Sequence, residues 1–293
     1  MSKSPPELPP DALPPETVLR PRRGWAALQL RELWDYRELL WFMALRDIKV
    51  RYKQSVLGVA WAVIQPLMIM LVFSGLFGLL LDEHQKPTVD GIPYAISTYC
   101  ALVLWQLFSR SVLIAGRSVA ANQYLLSQVY FPRMILPLAP ILATLADFAI
   151  AFLVLIAMIL IADIPLGLSC LAVPLFVLLT VLSAAALSVW LAALNGIYRD
   201  VQYATEYFVQ WLMFATPVLY TTESIMSHQP PWLRLAYHLN PMTEIIDGFR
   251  WALLGGPPPT LPFLLLSSGV LALILFAGMM VFRRMERSFA DLV

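Results

Sequence analysis

Four cations stand close together in RDIKVRYKQSVLGVAWAVIQP, residues 46–66: Arg46, Lys49, Arg51 and Lys53. Directly after them the chain carries no charge from Val56 to Leu81. Guanidinium and ammonium groups donate hydrogen bonds to phosphate oxygens, so the cluster suits a phosphate-bearing group at the edge of an apolar layer. The same cluster also pins the start of a membrane helix against anionic headgroups. Both readings stand.

Few other residues could do chemistry. Asp147 stands deep in an apolar stretch, and Glu206 lies near one end of another. An unpaired carboxylate is costly in hydrocarbon, which makes Asp147 a functional candidate. With no second buried charge to relay to, its expected role is a hydrogen-bonding post inside a bundle. His84, His228 and His238 fall in separate loops and are expected to be solvated. Cys100 and Cys170 lie in apolar runs without a Cys or His partner at ligand spacing, so they are expected to pack rather than bind metal or form a disulfide. No G-x-x-x-x-G-K-[ST], H-E-x-x-H or C-x-x-C occurs, and no glycine is followed by lysine. No catalytic residue, metal site or cofactor is expected.

The elements that hold these groups follow from composition. With 59% hydrophobic and 13% charged residues and a mean hydropathy of +0.71, the chain does not read as a soluble globular protein. A net charge of +1 gives no reason to expect a nucleic-acid partner. A bilayer core about 30 Å thick needs roughly 20 apolar residues. Six spans are expected: Val56–Leu81, bent at Pro66; Ile92–Ser109, extending towards Gly116; Met134–Ala162; Leu166–Leu194; Gln202–Thr221; and Leu261–Phe282. The first is too long and too far from Met1 for a signal peptide. Prolines 137, 140, 174 and 217 fall inside spans, where neighbouring helices can satisfy the freed carbonyls. Seventeen Lys/Arg lie on one side of this topology and three on the other, so both termini are expected in the cytosol.

Around the spans, residues 1–24 are Pro-rich and expected to be disordered. Residues 25–54 carry Leu33, Tyr36, Leu40, Ala44 and Ile48 at helical spacing between charges, with Trp34 and Trp41 suited to headgroup depth. They predict an amphipathic helix on the membrane surface or against a cytosolic partner. Residues 55–282 form the membrane domain and 283–293 a cytosolic tail. Within that domain, 225–256 predict two short outward re-entrant helices either side of Asn240–Pro241, with Glu244, Asp247 and Arg250 at a wet surface.

RDIKVRYKQSVLGVAWAVIQPL resembles the lead-in to the first helix of the membrane subunits of ABC-2 type polysaccharide exporters. Within that group it is similar to the O-antigen, capsule and teichoic-acid export permeases, and to the O-antigen exporters in particular. Four further stretches agree in order: SVAANQYLLSQVYFPRMILPLA (118–139), NGIYRDVQYATEYFVQWLMFATPVLY (195–220), HLNPMTEIIDGFRWALLGG (238–256) and FRRMERSFADLV (282–293). The resemblance covers roughly residues 30–293 and leaves out the Pro-rich start. It implies an all-α polytopic fold of six transmembrane helices with an N-terminal cytosolic interface helix. It further implies a homodimer enclosing a channel in the bacterial inner membrane. Two copies of a separate ABC ATPase subunit would bind ATP and Mg. The substrate would be an undecaprenyl-pyrophosphate-linked polysaccharide, with teichoic acid, capsule or a smaller lipid or drug as alternatives. A membrane-embedded glycosyl- or phosphotransferase is the rival from another class, for which only Glu244 and Asp247 approach a catalytic pair.

Under this resemblance the residues take places. The surface helix and the loop Ala121–Phe131 are expected to dock the ATPase through Asn122, Leu125, Leu126, Val129 and Tyr130, with Arg199 and Asp200 as a smaller contact. Asn122 is expected to cap a short helix there; the plain alternative is a linker. Tyr203, Tyr207, Trp211 and Phe214 recur every three to four residues beside Gln210, and are expected to line the channel opposite Trp61, Phe73 and Phe77. Helix packing is the alternative for that stripe. Arg46, Lys49, Arg51 and Lys53 are expected to meet the carrier pyrophosphate, or lipid headgroups alone.

Overall fold

The computed structural model describes residues 30–53, 58, 60–80, 91–226 and 229–286. The Pro-rich extension, residues 25–29 and 54 of the surface helix, the tail beyond Glu286, and His84 and His228 lie outside the described residues. Helices α1 (Leu30–Asp35) and α2 (Arg37–Lys53) are divided at Tyr36, yet the Tyr36 amide donates to the Glu32 carbonyl (3.0 Å) and the Leu40 amide to that of Tyr36 (3.1 Å). Then come α3 (Ala60–Leu80) and α4 (Tyr94–Gly116). The short α5 (Ser118–Ala121) and α6 (Gln123–Gln128) lead to α7 (Ile135–Ile161). A 3-10 turn at Leu168–Ala172 enters α8 (Val173–Ile197), followed by α9 (Asp200–Phe214). Three short helices, α10 (Thr222–Met226), α11 (Pro231–His238) and α12 (Pro241–Leu254), precede α13 (Leu261–Met285). Regular structure among the described residues is entirely helical, as an all-α membrane chain requires, because lipid offers no partner for an open backbone.

Among the described residues five helical runs are long and apolar enough to cross a membrane: α3, α4, α7, the 168–197 run ending in α8, and α13. The expected fifth span, Gln202–Thr221, differs. It forms the 15-residue α9, which stops at Phe214 and is followed by turns through Tyr220. At 1.5 Å per residue α9 is about 22 Å long, less than the bilayer core. Pro217 ends it: proline has no N–H to offer the Met213 carbonyl and biases Thr216 out of the helical region. Pro217 therefore sits in a turn rather than inside a span. Pro174 stands in the first turn of α8, where a missing N–H costs nothing.

Helix α4 is the axis of the bundle. It packs chiefly against α7 and α8, and also touches α3, α9 and α12. Tyr99, Cys100, Ala101, Leu102 and Leu104 are fully buried within it. Small residues on α8 (Ala184, Ala186, Ser188, Ala192, Ala193) allow close approach, the usual basis of helix association in lipid. Polar atoms at the seams find each other: Ser111 and Thr144 hydroxyls lie 2.5 Å apart, and Asn195 Nδ2 donates to the Gly116 carbonyl (2.7 Å). The second of these satisfies an end carbonyl of α4 that the helix itself leaves open.

The α8–α13 contact depends on Gly278. A Cβ there would lie 2.4 Å from Trp190 Cδ1 and 3.1 Å from the Ala186 carbonyl oxygen. Trp190 cannot swing away freely, because its Nε1 donates to the Ile274 carbonyl (3.0 Å). Gly278→Ala should therefore lower stability by about 1–3 kcal/mol through overpacking, read as a lower Tm in detergent. Gly269→Ala on the same helix, with nothing within 4 Å of the added carbon, should leave the Tm unchanged or slightly raised.

Candidate functional site

The aromatic residues of α9 occupy its free face. Tyr203, Tyr207, Trp211 and Phe214 are 52–73% exposed in the single chain, while Thr205 and Val209 turn into the bundle. Gln210 is exposed beside them, and Phe208, not expected from the three-to-four spacing, widens the aromatic surface. An ion pair between Arg117 and Glu206 ties the middle of α9 to the end of α4. Trp61 of α3 is also exposed. Phe73 and Phe77 do not share that position. Phe77 meets Tyr94 of α4 edge-on at 5.2 Å, Phe73 stacks on Phe77 at 6.4 Å, and Phe73 is half-buried against the core. The rings fill the α3–α4 seam because their apolar area gains more from burial there.

The basic cluster divides. Lys49 and Lys53 are exposed along a groove on α2 that Phe42, Leu45, Arg46 and Val50 complete. Arg46 is paired with its neighbour Asp47 (2.9 Å). Arg51 instead turns inward to Asp147, which overturns the expectation that this carboxylate has no buried partner. Arg51 and Arg110 both donate to Asp147 Oδ2, the latter at 3.2 Å, and the Tyr52 hydroxyl donates to Oδ1. The sequence signal was Arg110 itself, which lies within α4 rather than in the loop after it.

In the connection after α4, Asn122 does not cap α6. Its Nδ2 donates back to the Ser118 carbonyl (2.8 Å). Leu125 and Leu126 are half-buried against a cluster containing Met43, Phe131, Ile135 and Phe282. The apolar side of α6 thus belongs to the fold, while Tyr124 on α6 and Val129 and Tyr130 just after it are exposed. The Tyr130 hydroxyl donates to Glu32 of α1 (3.4 Å), so loop and surface helix present one continuous face. Tyr198, Arg199 and Asp200 are exposed where α8 turns into α9.

The greatest departure concerns Arg250. Expected at a wet surface, it is 3% exposed, and Glu244 is equally buried. The Arg250 guanidinium donates to the carbonyls of Pro217 (2.6 Å), Val218 (2.8 Å), Tyr220 (3.0 Å) and Ser97 (3.3 Å). All but Ser97 lie in the turn that follows α9. Asn240 adds to the same turn by donating to the Thr216 hydroxyl (2.9 Å), and Tyr94 by donating to the Leu219 carbonyl (2.8 Å). Asp247 accepts from Thr222 and from Arg250 (3.5 Å). Glu244 is bonded to His238 Nδ1, and the His238 ring stacks on Phe263 at 3.9 Å. His238 is therefore a packed residue. Glu244 and Asp247 hold bonds within the fold and do not form an open catalytic pair.

The ABC-2 type transporter family pattern matches residues 38–254. The chain is similar to an O-antigen export system permease protein of Myxococcus xanthus, 29% identical over 270 residues, spanning 89% of this chain and 98% of that one. Two O-antigen export system permease proteins of Klebsiella pneumoniae are each 25% identical, over 87% of this chain and 95% of theirs.

Burial raises the pKa of Glu244 above the ordinary carboxylate value, with His238 opposing the shift, and does the same to Asp247 against the pull of Arg250. A carboxyl whose folded pKa exceeds its unfolded one binds its proton more tightly when folded. The resulting stability is present below the unfolded pKa and lost as pH rises through the folded one. Melting curves taken upward from the ordinary carboxylate range, about pH 4, should therefore show a loss of stability with rising pH. The double variant Glu244→Gln with Asp247→Asn should flatten that slope.

Proposed function

Because the chain belongs to the ABC-2 type transporter family, we propose that it is the channel-forming membrane subunit of an exporter for a finished polysaccharide. The polymer would be O-antigen-like and joined to undecaprenyl pyrophosphate in the cytosolic leaflet. Two copies enclose the channel in the bacterial inner membrane, with both termini in the cytosol. Two copies of a separate ABC ATPase bind ATP and Mg and supply the power. The chain itself makes and breaks no covalent bond, and its work belongs to lipopolysaccharide biosynthesis.

The observation that carries this reading is the exposed aromatic face of α9. From Tyr203 to Phe214 it extends about 17 Å, long enough for several sugar units rather than one small ligand. Flat rings with polar tips bind sugar faces without holding them at one point, which suits a chain that must slide. Trp61 on α3 offers a similar ring. The relatives named as O-antigen export permeases support the substrate class, and their similarity extends over nearly their whole length. The groove on α2 fits the carrier chemically: Lys49 and Lys53 suit a pyrophosphate, and Phe42, Leu45 and Val50 an isoprenoid. The face formed by Glu32, Tyr124, Val129 and Tyr130 is the proposed seat of the ATPase.

A strain lacking the chain should accumulate full-length lipid-linked polymer inside the cell. Unfinished polymer instead would point to a transferase, and polymer reaching the cell surface normally would end the export reading. Trp211→Ala with Phe214→Ala should lower polymer export about tenfold, the equivalent of about 1.4 kcal/mol, while Tm and membrane insertion hold. Unchanged export would reassign the stripe to helix packing.

A further inference from the structure

One carboxylate joins four helices. Asp147, in the middle of α7, accepts Arg51 and Tyr52 from the last turn of α2 and Arg110 from α4. Arg110 continues the chain of contacts, because its Nη2 donates to Gln65 Oε1 on α3. Gln65 follows Trp61 by one helical turn, so the hydrogen bond acts on the face of α3 that carries the exposed Trp61 ring.

The rest of α2 is attached by different means. Met43 and Ala44 are buried, and Met43 packs in a cluster with Ile135, Leu136 and Ala139 of α7. Met43 to Arg51 and Ala139 to Asp147 are the same number of residues, so α2 runs alongside α7 in register, apolar at one contact and ionic at the other. Apolar contact is non-directional and tolerates sliding. A carboxylate shared by two guanidinium groups and a phenol fixes direction, and its weakly solvated setting strengthens it.

We propose that Asp147 is a positioning residue that makes the end of α2 and the Trp61 face of α3 move together. A displacement imposed on α1 and α2 from outside the membrane passes through Arg51 and Tyr52 to Asp147, then through Arg110 and Gln65 to α3. The proposal rests on the transport reading for its consequence, but the mechanical link is a property of this chain alone. A pair that merely neutralised the buried carboxylate would need Asp147 and one of the two arginines and would leave α3 out. The Arg110–Gln65 contact is what brings it in.

The test uses the full chain in nanodiscs, spin-labelled at Lys49→Cys on α2 and Met68→Cys on α3, both exposed positions, with Cys170→Ser removing the half-buried thiol. With labelled chains diluted by unlabelled ones, the unaltered relay should give one narrow distance distribution within the chain. Asp147→Asn should broaden or shift it, and Asp147→Glu should largely restore it. Because Asp147→Asn leaves two unopposed cations, the neutral triple variant R51Q/R110Q/D147N provides a form without a stranded charge, and it should also give a broad distribution. Gln65→Leu should broaden it while leaving the ion cluster whole. In the unlabelled complex with its ATPase, with Lys49 and Met68 native, the triple variant and Gln65→Leu should hydrolyse ATP at the normal rate while export per ATP falls about fivefold or more. Narrow distributions in both the triple variant and Gln65→Leu would overturn the proposal, as would normal export per ATP in them. If no ATPase associates with the unaltered chain, the transport reading fails and the distance distributions alone decide the relay.

Discussion

Hydrocarbon accepts no hydrogen bonds, and every irregular stretch of backbone at membrane depth must be satisfied by the protein itself. The chain meets this constraint most visibly at Arg250. Where α9 ends before Pro217, the exposed carbonyls of Pro217, Val218 and Tyr220 converge on one guanidinium, which also reaches Ser97 on α4. Arginine suits the position because its five N–H groups are fixed in a plane and its charge is permanent. Helix α12, which carries it, is consequently drawn into the core against α4 and α8 instead of lying over the surface.

Asp147 answers the same constraint from the opposite direction. A buried anion needs donors, and it takes them from α2 and α4. The cost of leaving either charge centre unpaired determines which elements must touch: α12 with the turn after α9, and α2 with α7. Apolar packing fills the space between these points. Small residues on α8 and the glycine at 278 allow backbones to approach, and Phe73 and Phe77 close the seam beside Tyr94. The aromatic face of α9 and the outer side of α3 are among the apolar surfaces that the single chain leaves exposed.

The six-span expectation shows where reading the chain in one dimension succeeds. Segments 94–116, 135–161 and 261–285 were legible because a long apolar run in lipid has one low-energy conformation, the helix. The pair α11 and α12 was equally legible, since Asn240 accepts from the Met242 amide and Pro241 occupies the first turn. Gln202–Thr221 misled because hydropathy does not register that Pro217 breaks the helix and leaves a turn whose carbonyls need a donor from elsewhere. Glu244 and Arg250 misled because charged residues in a loop between spans are ordinarily wet.

The amino-acid sequence alone determined that this chain lives in a membrane, that it is helical, where most spans begin and end, and which residues form an aromatic stripe. All of these follow from local composition and period. Only the tertiary structure decided which charges are buried and with whom: Arg51 and Arg110 with Asp147, Arg250 with the broken end of α9. Pairing joins positions up to 153 residues apart, as between Arg250 and Ser97, and no local pattern encodes which of several cations will leave water to meet a given oxygen.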